Sequence, residues 1–425
     1  MGCESRPVIR GLSMRQTGSR EPIPDRGEVA FGLDEIFYSR TDQRGVIRAG
    51  NSVFRRVSGH DWKDLIGAPH KIIRHPDMPR AVFWLLWQTI QGGQPIAAYV
   101  KNRARDGRHY WVFAVVLPIE GGFLSVRIKP STPLFATMRA EYKTLRAREH
   151  DENLSPEASA ALLLARLGEL GFSGYADFMS RALSQELAAR DAASGRARCE
   201  RLAEIEAVSD SLGAAAREQR DLIRTFGALK SVPTNIRILA NRLEPAGGPI
   251  TAISENYKTA SGEIVTRLNS FAGQQDNLCD RMGRVVGDAV FLMGCAEVQS
   301  ELVRQFRAEA GTPGPGDSAA EMATLTALEA ACNTRARTGL AEAMRVARTL
   351  SQASNDLRRM VAGLDSIRVM GRVECGRLTT GGESLSSMIE DLAIYHGTIK
   401  DRLEAIIRLS ERIHFGAERY ASRAA

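Results

Sequence analysis

Apolar and polar positions change rhythm along this chain, and the change divides it. From Phe31 to Ile128 short apolar runs alternate with breaks bearing Gly, Asp and Pro, the texture of a mixed sheet-and-helix domain. Residues 37–41 read as a strand, Asp42-Gln43-Arg44-Gly45 as a turn, and residues 46–49 as the answering strand of a hairpin. Residues 51–57 predict a short helix with Val53 and Phe54 on one face, ended by Ser58-Gly59, and Asp61 is placed to cap a second. Residues 81–91 predict an amphipathic helix closed by Gly92-Gly93. Strands follow at 96–104, 109–118 and 123–128, separated by Asp106-Gly107 and Glu120-Gly121-Gly122. The order β-β-α-α-α-β-β-β implies an antiparallel sheet with helices packed on one face.

Past residue 132 the period becomes helical. Residues 134–150 predict a charged helix, and 155–188 continue as helix with a break at Gly171. Three series then space apolar residues four and three apart. The first is Ile264, Leu268, Phe271, Leu278, Met282, Val285, Ala289 and Leu292, extending through Ala296 and Val303 to Phe306, with Gln275 and Gln299 polar. The second is Leu340, Ala343, Ala347, Leu350, Ser354, Leu357, Val361 and Leu364. The third is Leu385, Met388, Leu392, Tyr395, Ile399, Ile406, Leu409 and Ile413, with Arg402 polar. Small seam residues point to close packing among several helices, and Gly311-Thr312-Pro313-Gly314-Pro315-Gly316 must break the pattern in a hairpin or linker. A weak repeat relates residues 236–244 (IRILANRLE) to residues 367–374 (IRVMGRVE), with one residue skipped, each followed by paired glycines, Gly247-Gly248 and Gly381-Gly382. Two equivalent helix segments, or chance likeness of biased helices, both fit it.

The fold class is therefore α+β followed by a long all-α coiled coil or bundle. Its divisions are a flexible leader (1–28), the sheet-bearing domain (29–131), a helical connector (132–190), a first helical segment (191–310), the Gly/Pro break (311–317) and a second helical segment (318–425).

Composition sharpens this only in places. Aromatics are 6% of the 425 residues and gather before residue 150, as expected for one compact domain followed by helices. The net charge of +7 is spread as single arginines among acids, the mark of solvated helix faces, so no nucleic-acid partner is expected. Cys3, Cys199, Cys279, Cys295, Cys332 and Cys375 lie far apart with no paired spacing, which fits thiols rather than disulfides or a metal site. The most apolar run, 285–298, is short and holds Asp288 and Glu297, so no membrane span is expected. The start shows no secretory h-region, and Arg6 stands where a myristoylation signal needs Ser or Thr. A cytoplasmic location follows.

Candidate chemistry concentrates at Arg74-His75-Pro76-Asp77-Met78-Pro79. Its two prolines restrict the backbone on both sides of Asp77. Two readings of these residues stand side by side. The corner is a rigid ligand-pocket wall beside an aromatic helix, or it is a helix-start turn in which Asp77 caps the following helix and pairs with Arg74.

A family resemblance adds to this. Its residues are the turn from Thr41-Asp42 to Gly45, the Asn51 helix, Val57-Ser58-Gly59, Leu65-Ile66-Gly67-Ala68-Pro69-His70, the corner itself with Ile73, and Phe83 to Trp87. They continue with Val100-Lys101-Asn102-Arg103, Asp106-Gly107 and His109-Tyr110-Trp111-Val112. Over residues 37–129, roughly a quarter of the chain, the sequence resembles a PAS domain of the bacterial aerotaxis-receptor type. In that family the domain binds FAD noncovalently and the flavin's redox state is the signal. By position, the resemblance implies Arg74, His75, Asp77, Asn102, Trp87 and Asn51 as cofactor-binding residues. Arg offers bidentate contacts to phosphate or a flavin edge, and His, Asp and Asn offer bonds to a ring or ribose. One departure counts against FAD. Ile96, in Gly93-Gln94-Pro95-Ile96, replaces the family's pocket tryptophan, so an empty or differently filled pocket is the other expectation. Haem held by His70 or His75 is a third.

More faintly, the helical half resembles a chemoreceptor signalling hairpin, with Pro233-Thr234-Asn235-Ile236 and Ser261 in place of the tip and its downstream arm. The acid-and-alanine-rich stretch of that family is replaced by Glu244-Pro245-Ala246-Gly247-Gly248-Pro249. The expected function is a sensory protein, not an enzyme. Its PAS domain senses redox, oxygen or a small ligand and relays to the helices, which form a homodimer and meet a chemotaxis kinase, an adaptor or another signalling protein. The alternative is a non-sensing dimeric scaffold. The chain shows no P-loop, kinase nucleotide box, paired-carboxylate motif or nucleophile setting.

Overall fold

Asp42 sets the first hairpin: its Oδ1 accepts the N–H groups of Arg44 (2.9 Å) and Val46 (3.0 Å), and Gly45 takes a left-handed φ of 75° behind it. In the computed structural model, which describes residues 27–229, 231–243, 247–269, 277–308, 318–378 and 382–423, this hairpin joins β1 (Phe37–Asp42) to β2 (Ile47–Gly50). Three short helical pieces follow: α1 (Ser52–Ser58), α2 (Trp62–Leu65) and a single 3-10 turn (His70–Ile73). Then come α3 (Arg80–Gln91), β3 (Ile96–Arg103), β4 (His109–Ile119) and β5 (Gly122–Ile128). All five strands pair antiparallel in the order β2-β1-β5-β4-β3.

Register decides which residues face which way, because side chains alternate along a strand. Phe37, Ser39 and Thr41 lie opposite Arg127, Ser125 and Phe123, and with Tyr110, Val112, Ala114, Asn102 and Ile96 they form an inner face. Phe54 of α1, His70 and Trp87 of α3 lie over it. Tyr38, Arg40, Tyr99, Trp111 and Phe113 point to the outer face. That face is not left to solvent. Phe135 of α4 (Pro133–Asp151) and Phe178 of α6 (Tyr175–Ala193) pack edge-on or tilted against Tyr99 at 5.4 and 6.1 Å, and β4 is buried along nearly its whole length. The expectation of helices on one face is thus extended: the connector folds back to cover the second, equally aromatic face.

Between α4 and α6 lies α5 (Pro156–Glu169), capped by Ser155 Oγ accepting from Ala158 N (3.1 Å). The break at Gly171 falls as expected, at φ 90°. The remaining helices are α7 (Glu200–Leu229), α8 (Val232–Asn241), α9 (Gly248–Leu268), α10 (Leu278–Ala308), α11 (Ser318–Cys375) and α12 (Glu383–Arg423). α11 packs against α9, α10 and α12, while α7 packs against α10 and α12. Every member of the second apolar series is buried in this bundle, and Leu385, Leu392, Ile399, Ile406 and Ile413 of the third are buried too. The helices of the same chain cover these seams.

The first series is split between α9 and α10, and its Phe271 and Gln275 lie outside the described residues. So do most of the leader and the whole Gly/Pro break at 311–317. The described parts of the two repeat copies sit at corresponding places, near the C-terminal ends of α8 and α11. Among the described residues no helix is long and apolar enough to cross a membrane, and Cys199, Cys279, Cys295, Cys332 and Cys375 are free thiols.

Candidate functional site

The corner is held by a helix far along the chain. Pro79 occupies the N-cap of α3, with no side-chain cap of its own. Within the first turn of the helix, Ala81 N instead donates to Glu149 Oε1 of α4 (3.2 Å), and Arg146 Nε donates to Pro76 O (3.1 Å). Glu149 is fully buried, and Ser159 Oγ (2.6 Å) and Arg146 Nη1 (3.3 Å) bond its carboxylate further. The expectation that Asp77 caps this helix and pairs with Arg74 is corrected. Asp77 is turned outward and pairs with Lys101 Nζ at 2.8 Å. Arg74 lies with its guanidinium 3.6 Å from the centroid of the Phe83 ring, a cation–π contact, and burial pulls its pKa down to about 10.

His75 is buried, its Nδ1 accepting from Asp77 N (3.2 Å), and desolvation followed by the Lys101 charge lowers its pKa. Arg74 also bridges in antiparallel fashion to Asn102, which is buried on the inner face of β3. Arg74, His75, Asp77 and Asn102 are therefore brought together around one edge of the sheet. Asn51 is engaged elsewhere. Its Oδ1 accepts from Tyr38 N (3.0 Å) and Phe54 N (3.1 Å) and its Nδ2 donates to Ile36 O (2.7 Å), so it caps α1 and ties it to β1. Trp87 packs edge-on to Phe123 at 5.7 Å, over the inner face, close enough to Gly45 that a Cβ there would meet its ring at 3.2 Å. Ile96 is fully buried, and its register places it on the inner face as well.

Sequence reasoning passed over the most unusual polar group in the domain. Arg127 of β5 is 3% exposed and points to the inner face. Its Nη2 donates to Ser39 Oγ (2.8 Å) and to His70 Nε2 (2.6 Å), and the guanidinium lies 5.6 Å from the Phe54 ring centroid. His70 stacks parallel on Phe54, and burial together with the Arg127 charge pushes its pKa down to about 3, so it is the neutral acceptor. Arg127 Nη1, Tyr110 Oη and Ser125 Oγ are buried with no hydrogen-bond partner.

The outer face carries the links to the bundle. Tyr38 Oη and Arg40 both bond Glu321 of α11, with Arg40 Nη2 at 2.7 Å, and Tyr38 packs edge-on to Phe306 of α10 at 5.3 Å. Tyr99 Oη donates to the buried Glu186 of α6 (2.9 Å), which also accepts from Thr132 Oγ1 (2.6 Å) at the N-cap of α4.

Comparison with known proteins covers part of the chain. Residues 49–125 match the family model described as PAS fold. Over 134 residues the chain is 40% identical to the aerotaxis receptor of Escherichia coli (strain K12), covering 30% of this chain and 26% of that protein. It is 31% identical over 112 residues to a nitrogen fixation regulatory protein of Klebsiella pneumoniae, covering 26% of this chain and 21% of the relative. The chain thus spans about a quarter of the length of the curated relatives it matches. Among solved structures, it is similar to a PAS domain from Colwellia psychrerythraea (19% identity, 22% of this chain and 85% of that one, TM-score 0.20). It is also similar to the light state of the Aureochrome1 LOV photoreceptor (20% identity, 27% and 90%, TM-score 0.21). The five-stranded domain is a PAS domain of the aerotaxis-receptor type, followed by helices.

Proposed function

We propose that the protein is a sensory signal-transduction protein. Its PAS domain takes a small or redox-active ligand on the inner face of the sheet, and a change there passes to the helical bundle and on to a signalling partner, a chemotaxis kinase or adaptor among them. The observation that carries this reading is the hold of α4 on the corner. The helix that leaves the domain bonds both the carbonyl of Pro76 and the first turn of α3, so a ligand that shifts the corner shifts the exit helix. Such coupling needs only that the ligand bind two arrangements with different affinity.

FAD is the cofactor the resemblance implies, and the residues present fit part of it. Arg74, His75 and Asn102 with the unpartnered Arg127 Nη1 would offer polar contacts to a flavin edge or phosphate, and Trp87 an indole over the same face. Buried Ile96 supplies no aromatic surface. When bound, a flavin would supply reversible reduction as the signal. This chain's residues would orient it and exclude water.

The test is made on the full chain. Purified protein with visible flavin absorbance, weakened in Arg74→Ala, supports a flavin sensor; a colourless protein points to another ligand. Hydrogen exchange then reads the relay. Reduction or ligand addition should alter protection in α4 and at the start of α11, and Glu321→Gln should remove the α11 response. A ligand that binds and leaves both helices unchanged would favour the scaffold reading.

A further inference from the structure

We infer that Arg127 anchors an anion-binding site inside the PAS domain, taking a carboxylate or phosphate group of a small molecule. The inference rests on the reading of this domain as ligand-binding, and it concerns the chemistry of the ligand rather than the relay.

Buried charges are almost always paired, because removing them from water is costly. Arg127 has no carboxylate partner among the described residues; it is met only by a serine hydroxyl, a neutral imidazole and the face of Phe54. Burial pulls its pKa down only to about 10, so the guanidinium keeps its charge at neutral pH. His70 cannot balance it, being held neutral as an acceptor.

The surroundings are one-sided in the same sense. Arg127 Nη1 and the hydroxyls of Tyr110 and Ser125 are unpartnered, and the three residues share the inner face of the sheet, Arg127 and Ser125 on β5 and Tyr110 on β4 opposite Asn102. Ser125 stands two positions from Arg127 on one strand, and Tyr110 is near enough for the Arg127 charge to stabilise its phenolate against burial. Ser39 accepts from Arg127 and retains its own hydroxyl proton for donation. The cluster is rich in donors and short of acceptors. An oxyanion supplies what is missing: acceptor oxygens for the free N–H groups of Arg127 Nη1 and for the unpartnered hydroxyls, and a countercharge.

The carboxylate or phosphate could be free or could belong to a bound nucleotide. Full-length protein, unfolded and refolded to strip small molecules, is titrated at constant ionic strength with inorganic phosphate, succinate, FMN and riboflavin. Thermal melting and equilibrium dialysis are the readouts. We expect at least one anion to raise the melting temperature with concentration, as mass action requires, and to bind at least about tenfold more weakly to Arg127→Met. FMN binding more tightly than riboflavin places a nucleotide phosphate at Arg127, whereas phosphate or succinate acting alone points to a free oxyanion. If Arg127→Met fails to fold, Tyr110→Phe and Ser125→Ala take its place. Each removes only an unpartnered hydroxyl, and each should weaken the anion several-fold. The proposal is overturned if no anion binds the wild type, leaving the cluster to interior water, or if binding is equal in wild type and variants. An anion that binds at Arg127 without changing exchange in α11 sinks the relay and leaves the site standing.

Discussion

Glu149 does for α3 what the local sequence assigned to Asp77. Cap patterns are read within a few residues of a helix start, so a carboxylate arriving from α4 to accept the Ala81 N–H leaves no trace there. Arg127 escaped for a related reason. Residues 123–128 are plainly a strand, but whether Arg127 faces solvent or interior depends on its register with β1 and β4, which the strand itself does not encode. His70 carries a measurable consequence. Its pKa stands at about 3 in the folded protein against 6.5 ordinarily, because burial and the Arg127 charge disfavour the imidazolium. A depressed histidine contributes stability that is whole above pH 6.5 and lost as pH falls toward its folded value, since the unfolded chain takes up the proton first. His75 and His396 are shifted in the same direction. Urea midpoints should therefore fall from neutral pH down to about 4, and His70→Gln should flatten part of that slope. A midpoint independent of pH over that window would contradict the neutral, buried assignment.

At the scale of elements the apolar seams of the long helices were legible in the chain. Spacing of four and three is a local signal, and the series from Leu340 to Leu364 is buried throughout α11. Which helices cover that seam was not legible, because any apolar stripe satisfies the same pattern: α9, α10 and α12 do so within one chain. The strands were read nearly to the residue, since Gly and Asp turns bound them, whereas the covering of the outer face by α4 and α6 depends on where the connector folds back. The seam and the surface of the bundle should respond differently to truncation. Leu357→Ala removes a fully buried side chain and should cost about 2–5 kcal/mol by chemical denaturation. Ile394→Ala, at a position 70% exposed on α12, should change stability by no more than about 0.5 kcal/mol. Equal effects would mean that the bundle packs otherwise.

Across the whole molecule, two polar joints, long-range in sequence, add to the packing of α6 and Tyr38 on α10, and no window of residues announces them. Arg190 of α6 is 1% exposed. It donates to the carbonyls of Leu33 and of Asp34 (2.7 Å) ahead of β1 and bonds Glu301 of α10, so one side chain ties the entry of the PAS domain to the bundle. Glu321 makes the second joint through Tyr38 and Arg40. With both in place the two halves should unfold together. The tryptophans make this testable, because all four (Trp62, Trp84, Trp87 and Trp111) lie in the PAS domain while most helix lies beyond it. Tryptophan fluorescence thus follows one half and far-ultraviolet circular dichroism mainly the other. Coincident transitions are expected for the wild type, as cooperative unfolding requires. In Arg190→Met, where Glu301 keeps Arg196 as a partner, the fluorescence transition should move to lower denaturant than the dichroism transition. Probes that stay coincident in this variant, or that part already in the wild type, would show that Arg190 is not what makes the PAS domain and the bundle one unit.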